Sequence, residues 1–100
     1  MSRVVSMTVK KSDKPGKKLV AVFKRENGRE KKTYFGAAGM DDYTITKDKE
    51  QRGRYRQRHK KDLATKDPTR AGYLSYYILW GESTSRQANI SAYKKRFNLK

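Results

Sequence analysis

The residues best suited to chemistry lie between Gln51 and Lys61, where the chain reads Gln-Arg-Gly-Arg-Tyr-Arg-Gln-Arg-His-Lys-Lys. Arg52, Arg54, Arg56, Arg58, Lys60 and Lys61 surround Tyr55 and His59. A guanidinium forks two oxygens of a phosphate or carboxylate and an ammonium acts as a point charge, so the segment suits a polyanionic partner. On a helix, the like charges of Arg52 with Arg56 and of Arg54 with Arg58 repel by a few tenths of a kcal/mol per pair unless an anion compensates them. A second basic cluster, Lys94-Lys95-Arg96, offers further contacts for a polyanion such as nucleic acid.

Other candidates carry less. His59, the sole histidine, is flanked by Arg58 and Lys60, whose charges disfavour its protonated form; it reads as a packing residue with a polar tip. Asp41-Asp42 reads as a turn or helix-start anion, because adjacent carboxylates seldom converge on one ion unaided. Gly36-x-x-Gly39 lacks the Lys-Ser/Thr that completes a phosphate-cradling loop. No zinc-finger spacing, RNA-binding strand motif or leucine-zipper heptad appears, so base readout has no support. Nothing assembles a nucleophile, a base and an oxyanion hole, so the chain reads as non-enzymatic, with no catalytic residue, metal or cofactor.

Composition points the same way. The 100 residues include 26 Lys+Arg against 10 Asp+Glu, a formal charge of +16. The excess is spread, +6 over residues 1–46 and +10 over 47–100, so it is no detachable tail. Such a charge attracts polyanions, either nucleic acid or acidic protein. Only 34% of residues are hydrophobic, so the core must come from the 11 aromatics, in a single domain spanning residues 1–100. Zero cysteines exclude disulfides, thiolate metal sites and thiol chemistry. The N-terminus, Met1-Ser2-Arg3-Val4-Val5-Ser6, turns basic at Lys10-Lys11 before a signal-peptide core forms, and no apolar run approaches the ~20 residues of a membrane span. The expected chain is therefore neither secreted through a signal peptide nor inserted in a membrane.

The elements that must position these residues are legible as α+β, strands first and helices after. Residues 4–10 and 17–25 alternate and are β-branched, and Pro15-Gly16 turns the chain between them. Asn27-Gly28 predicts a two-residue hairpin into a third strand over 30–36. That turn would set Val20 opposite Phe35, Val22 opposite Thr33 and Lys24 opposite Lys31 on one face, with Ala21 opposite Tyr34 and Phe23 opposite Lys32 on the other. Both faces would then be apolar, which leaves Phe23 and Tyr34 as candidates for a protein contact. Residues 41–45 could add a fourth strand, completing an antiparallel β-meander of three to four strands over 1–46.

Two to three helices fill residues 47–100. Thr46 offers an N-cap for a helix from Lys47 to about Leu63, with Tyr55, His59 and Leu63 as its thin apolar stripe. Asp67-Pro68 starts a central helix in which Ala71 to Trp80 is apolar almost all round, and Gly81 stops it. Leu74, Tyr77, Ile78 and Ala71 should pack on the sheet. Tyr73, Tyr76 and Trp80 form a second stripe that either meets the last helix or remains as a protein-binding patch. The Ser83-Thr84-Ser85 stretch caps that last helix, in which Ile90, Tyr93 and Phe97 share a face.

Tyr34-Phe35-Gly36, Asp42-Tyr43-Thr44, Tyr55-x-x-Arg58-His59-Lys60-Lys61, Asp67-Pro68-x-x-Ala71-Gly72-x-Leu74-Ser75-x-x-Ile78-Leu79-Trp80-Gly81 and Tyr93-x-x-Arg96-Phe97 together resemble a family of small basic proteins. That family is encoded by large nucleocytoplasmic DNA viruses, notably those infecting algae. It has no assigned function and no catalytic residues to carry over. The resemblance implies a viral setting, in which such proteins line the capsid shell or accompany packaged DNA. The first reading is thus a structural virion component, a minor capsid or cement protein that meets capsid or other virion proteins through its aromatic patch and Arg-rich helix; the alternative is a protein that binds DNA nonspecifically along the helix from Lys47 to Lys61 and Lys94-Lys95-Arg96. A third reading is a basic adaptor of an acidic host protein. Oligomeric state is not encoded in any pattern of the chain.

Overall fold

The computed structural model describes residues 3–100; Met1 and Ser2, part of the N-terminal reading above, lie outside them. Three strands, β1 (Val4–Lys11), β2 (Lys17–Arg25) and β3 (Glu30–Ala37), form an antiparallel meander in the order β1-β2-β3. Helices follow: α1 (Tyr43–Thr46), α2 (Lys49–His59), a 3-10 segment (Lys60–Thr65), α3 (Ala71–Leu74), which runs on as a π-helical turn (Ser75–Leu79), and α4 (Arg86–Arg96). The fold is α+β, as the order of patterns predicts.

The hairpin register differs from the expected one by a single residue. Gly28 takes φ +84° and its N–H bonds the Arg25 carbonyl, while the Arg25 N–H bonds the Arg29 carbonyl, so the loop holds three residues, Glu26 to Gly28. This is a turn closed by one left-handed glycine, and Asn27 keeps a negative φ and accepts the Arg29 N–H on its side chain. Leu19 now faces Phe35, Ala21 faces Thr33 and Phe23 faces Lys31. Because side chains alternate, the slip gathers Met7, Ala21, Phe23 and Phe35 on one buried face. The two apolar faces expected from the sequence are replaced by one core face and one outer face on which Val20 lies opposite Tyr34.

Residues 41–45 form no fourth strand. Asp42 caps α1, its carboxylate accepting the Thr44 N–H at 2.9 Å. Lys47 then adopts φ +58° and breaks the chain before α2, so Asp48, and not Thr46, caps that helix through the Glu50 and Gln51 N–H groups. The helix expected to reach Leu63 tightens to 3-10 geometry after His59. Asp67 does not cap α3 either: it accepts from the Thr69 N–H and hydroxyl in a local turn, and α3 begins at Ala71. Ser85 caps α4 by accepting the Ala88 N–H, as expected.

The core lies between the sheet and the aromatic helix formed by α3 and its π turn. Leu74 and Ile78 are fully buried with Phe23, Phe35 and Met7. In the π turn the Trp80 N–H reaches back to the Ser75 carbonyl, five residues away, which changes the phase of the residues that follow. Tyr77, and not Tyr76 or Trp80, therefore meets Tyr93 and Phe97 of the last helix, while Tyr73 also packs on Phe97. Gly81 ends this helix for a steric reason: a Cβ there would stand 2.1 Å from the Tyr77 carbonyl oxygen. Asn89, buried on α4, holds the exit by donating to the Ile78 and Ser83 carbonyls and accepting the Ser83 N–H.

The ends of the sheet are tied down. Lys100 donates its N–H to Val5 and accepts the Met7 N–H, covering the free edge of β1. No helix of the described residues is long and apolar enough to cross a membrane.

Candidate polyanion-binding surface

The basic helix α2 divides its cations between inside and outside. Arg52 and Arg56, one turn apart, point inward to the end of the aromatic helix. The Arg52 Nε donates to the Gly81 carbonyl and the Arg56 Nη1 to the Trp80 carbonyl at 2.9 Å. Carbonyls at a helix C-terminus have no partner in the helix and carry its negative dipole end, so two guanidinium groups satisfy both demands. The Arg56 guanidinium also lies 4.1 Å from the Tyr76 ring centre, and that of Arg52 lies 5.5 Å from the Tyr43 ring centre. These two arginines, predicted as polyanion contacts, are structural, and the repulsion between them is offset by carbonyl oxygens and ring faces.

Arg54 and Arg58 are exposed, as are Lys60 and Lys61 on the 3-10 segment. None of the four has an ion-pair partner among the described residues. The ion pairs that do form there are Lys18 and Arg86 with Asp42, and Arg70 with Asp67. On α4, Lys94 and Lys95 likewise have no ion-pair partner among the described residues, whereas Arg96 lies over the Tyr77 ring at 4.7 Å. Of the nine predicted contacts, three are thus engaged within the fold.

Four of the five residues predicted to meet a partner protein are internal. Phe23 is 0% exposed, Tyr73 7%, Tyr76 8% and Trp80 7%. Phe23 lies with Ala21 on the face of β2 that packs on the aromatic helix, and the tyrosines and Trp80 are covered because α2 and α4 close over that helix. Trp80 stacks on Tyr55 with ring centres 4.3 Å apart, and Tyr55 stacks in turn on His59 at 4.1 Å. His59 is thereby a packing residue whose Nδ1 faces the Asp62 carboxylate at 3.2 Å. Tyr34 alone of the five stays partly accessible, its hydroxyl donating to Asp13 at 2.8 Å. This bond holds the Asp13 carboxyl below, and the Tyr34 hydroxyl above, their ordinary values.

Asp42 is the electrostatic joint of the fold. It is buried, yet Lys18 of β2 approaches it at 2.6 Å and Arg86 of α4 at 3.2 Å, and the Thr44 hydroxyl also donates to it. Burial pushes its carboxyl up, but the bonds from Lys18 and Thr44 and the charges of Lys18 and Arg86 outweigh burial and hold it below the usual range. The sequence reading of this acid as a helix-start anion holds, and its two cationic partners lie too far away in sequence to be foreseen. Among the described residues no three His, Cys, Asp or Glu side chains gather as a metal site requires.

These features define a small basic α+β domain with an aromatic interior and a cationic exterior. The chain belongs to a family of unknown function, DUF5754, whose model matches residues 7–59, from β1 to the end of α2. It is 38% identical over 80 residues to the uncharacterized protein L851 of Acanthamoeba polyphaga mimivirus, an alignment that covers 74% of this chain and 80% of that protein. The relative comes from a large DNA virus of an amoeba, which agrees with the resemblance at the level of the virus class. No solved structure matches the chain.

Proposed function

We propose that this chain is a non-enzymatic nucleic-acid-binding protein of a large DNA virus, which holds the phosphate backbone without reading sequence and accompanies viral DNA. The observation that best supports this reading is the division of its side chains. Most aromatics turn inward, while Arg54, Arg58, Lys60, Lys61 and Lys95 are exposed and Lys94 is half-buried, none with a carboxylate partner among the described residues. Cations held on a folded scaffold release counterions from a polyphosphate on contact, which drives binding irrespective of base order. A capsid-cement role draws on the same charge but lacks the aromatic contact patch expected for it, since Phe23, Tyr73, Tyr76 and Trp80 are spent in the core.

The test is fluorescence anisotropy of the whole chain with two labelled oligonucleotides of unrelated sequence across a salt series. Four to six phosphate contacts give a slope of log affinity against log salt of about −3 to −5, equal for both sequences. Absence of binding at low salt, or a slope near zero, overturns the reading. Recovery from purified particles with the shell, persisting after nuclease and high salt, would favour the cement role instead.

A further inference from the structure

A cleft of about 820 Å³ opens beside the sheet, lined by none of the residues predicted for polyanion contact. Lys31, Lys32 and Tyr34 line one side together with Thr33, consecutive positions of β3, whose outer edge carries no further strand. The opposite side is the turn around Arg70, and Lys14 of the β1–β2 connection and Lys17 at the start of β2 reach in from the end. The Lys31 ammonium bonds the Thr69 hydroxyl at 2.9 Å and the Thr33 hydroxyl bonds the Thr69 carbonyl at 2.7 Å, so the two sides are fastened together. Five cations line this cleft with one carboxylate, Asp62, which faces His59 at 3.2 Å, and Arg70, mostly exposed, also pairs with Asp67 at 3.5 Å outside the lining.

The cleft also holds an aromatic ring. Tyr34 is fixed by its hydroxyl bond to Asp13, and the Lys14 ammonium lies 5.3 Å from its ring centre. A cationic groove with an accessible aromatic is the combination that retains unpaired nucleic acid, the cations following the backbone and the ring stacking on a base. A volume in the range that encloses a drug-sized ligand accommodates a short stretch of one strand, whereas a duplex keeps its bases stacked inside and its ring faces unavailable.

We propose that this cleft is a single-stranded nucleic-acid site, with Lys14, Lys17, Lys32 and Arg70 holding phosphates and Tyr34 stacking on a base. The proposal rests on the nucleic-acid reading above and adds to it the strand type and the site. Because Asp62 follows Lys60 and Lys61 directly, the exposed cations of the 3-10 segment lead into the cleft wall.

The experiment titrates the whole chain with labelled oligo-dT of about 20 nucleotides and with a duplex of the same length over a salt series. Wild type should bind the single strand more tightly. Lys14→Gln, Lys17→Gln and Lys32→Gln combined should reduce the magnitude of the salt slope by about 2, and a matched triple outside the cleft, Lys24→Gln, Lys47→Gln and Lys49→Gln, should leave it in place. Tyr34→Ala should weaken oligo-dT binding about tenfold while Tyr34→Phe, which keeps the ring and loses the bond to Asp13, retains it. Far-ultraviolet circular dichroism checks that each variant is folded. If wild type binds neither probe, the nucleic-acid reading itself fails. If it binds both but the two triples behave alike, or the duplex is preferred, only the cleft assignment is overturned.

Discussion

The Arg56 guanidinium donates to the Trp80 carbonyl oxygen at 2.9 Å, joining the basic helix to the last residue before Gly81. A charged residue in a run of charges is normally a solvent group, and here it closes the end of a hydrophobic helix. Replacing it tests the division of labour along α2. Arg56→Gln should cost about 2 kcal/mol in urea unfolding, the scale of a lost charge-assisted hydrogen bond to a half-buried acceptor. Arg58→Gln, two residues further on and facing solvent, should change stability by less than about 0.5 kcal/mol. Equal costs for the two would refute the inward and outward assignment.

Asp42 sets the acid limit of the fold. Its carboxyl lies below its ordinary value in the folded chain, so the stabilisation it provides is complete above the unfolded carboxylate range, near pH 4, and is lost as pH falls through the lower folded value. Asp42→Asn should remove that part of the acid transition and leave Lys18 and Arg86 facing a neutral group. The expected loss at neutral pH is about 3–5 kcal/mol, as for other buried pairs deprived of one partner. Stability measured against pH by chemical denaturation reads both effects.

Two glycines should respond to alanine in opposite directions. Gly53 lies inside α2 with open space around it, and Gly53→Ala should stabilise by up to about 1 kcal/mol through helix propensity. At Gly81 the added methyl would meet the Tyr77 carbonyl and the Asn89 side chain, so Gly81→Ala should destabilise by at least about 2 kcal/mol. Thermal unfolding followed by circular dichroism distinguishes them. A neutral Gly81→Ala would mean that the Asn89 loop is not as tight as its hydrogen bonds indicate.

A formal charge of +16 on 100 residues makes the folded chain repel itself. Moderate salt screens that repulsion over about 10 Å or less. The melting temperature should therefore rise as salt increases, while affinity for nucleic acid falls. Opposite salt trends for stability and binding, measured on one preparation, would show that the surface cations serve the ligand and not the fold.

What the sequence made legible was local. The three strands, the Ser85 cap and the burial of Leu74 and Ile78 in the aromatic helix each follow from neighbouring residues. The hairpin register did not, because Asn27-Gly28 suits both a two-residue turn and a three-residue one; the difference lies in whether Asn27 itself takes a positive φ. A single π turn redirected Tyr76, Tyr77 and Trp80, and no residue type announces such a turn. The inward course of Arg52 and Arg56 depends on carbonyl oxygens at a distant helix end, which a residue-type pattern does not display. The cations of the sheet-edge cleft are scattered from Lys14 to Arg70, so no run of charge marked them.

The backbone of Lys100, hydrogen-bonded to Val5 and Met7, has a further consequence. A three-stranded sheet has two outer edges, and an open edge is a template onto which another chain can add and start to aggregate. Here the start of one edge, at Val5 and Met7, is already occupied by Lys100, and the other edge is lined by Lys31 and Lys32, which deter a second copy of equal charge. A second copy thus meets a partly covered edge on one side and like charge on the other, and the lysine-lined edge is the one that suits an acidic strand.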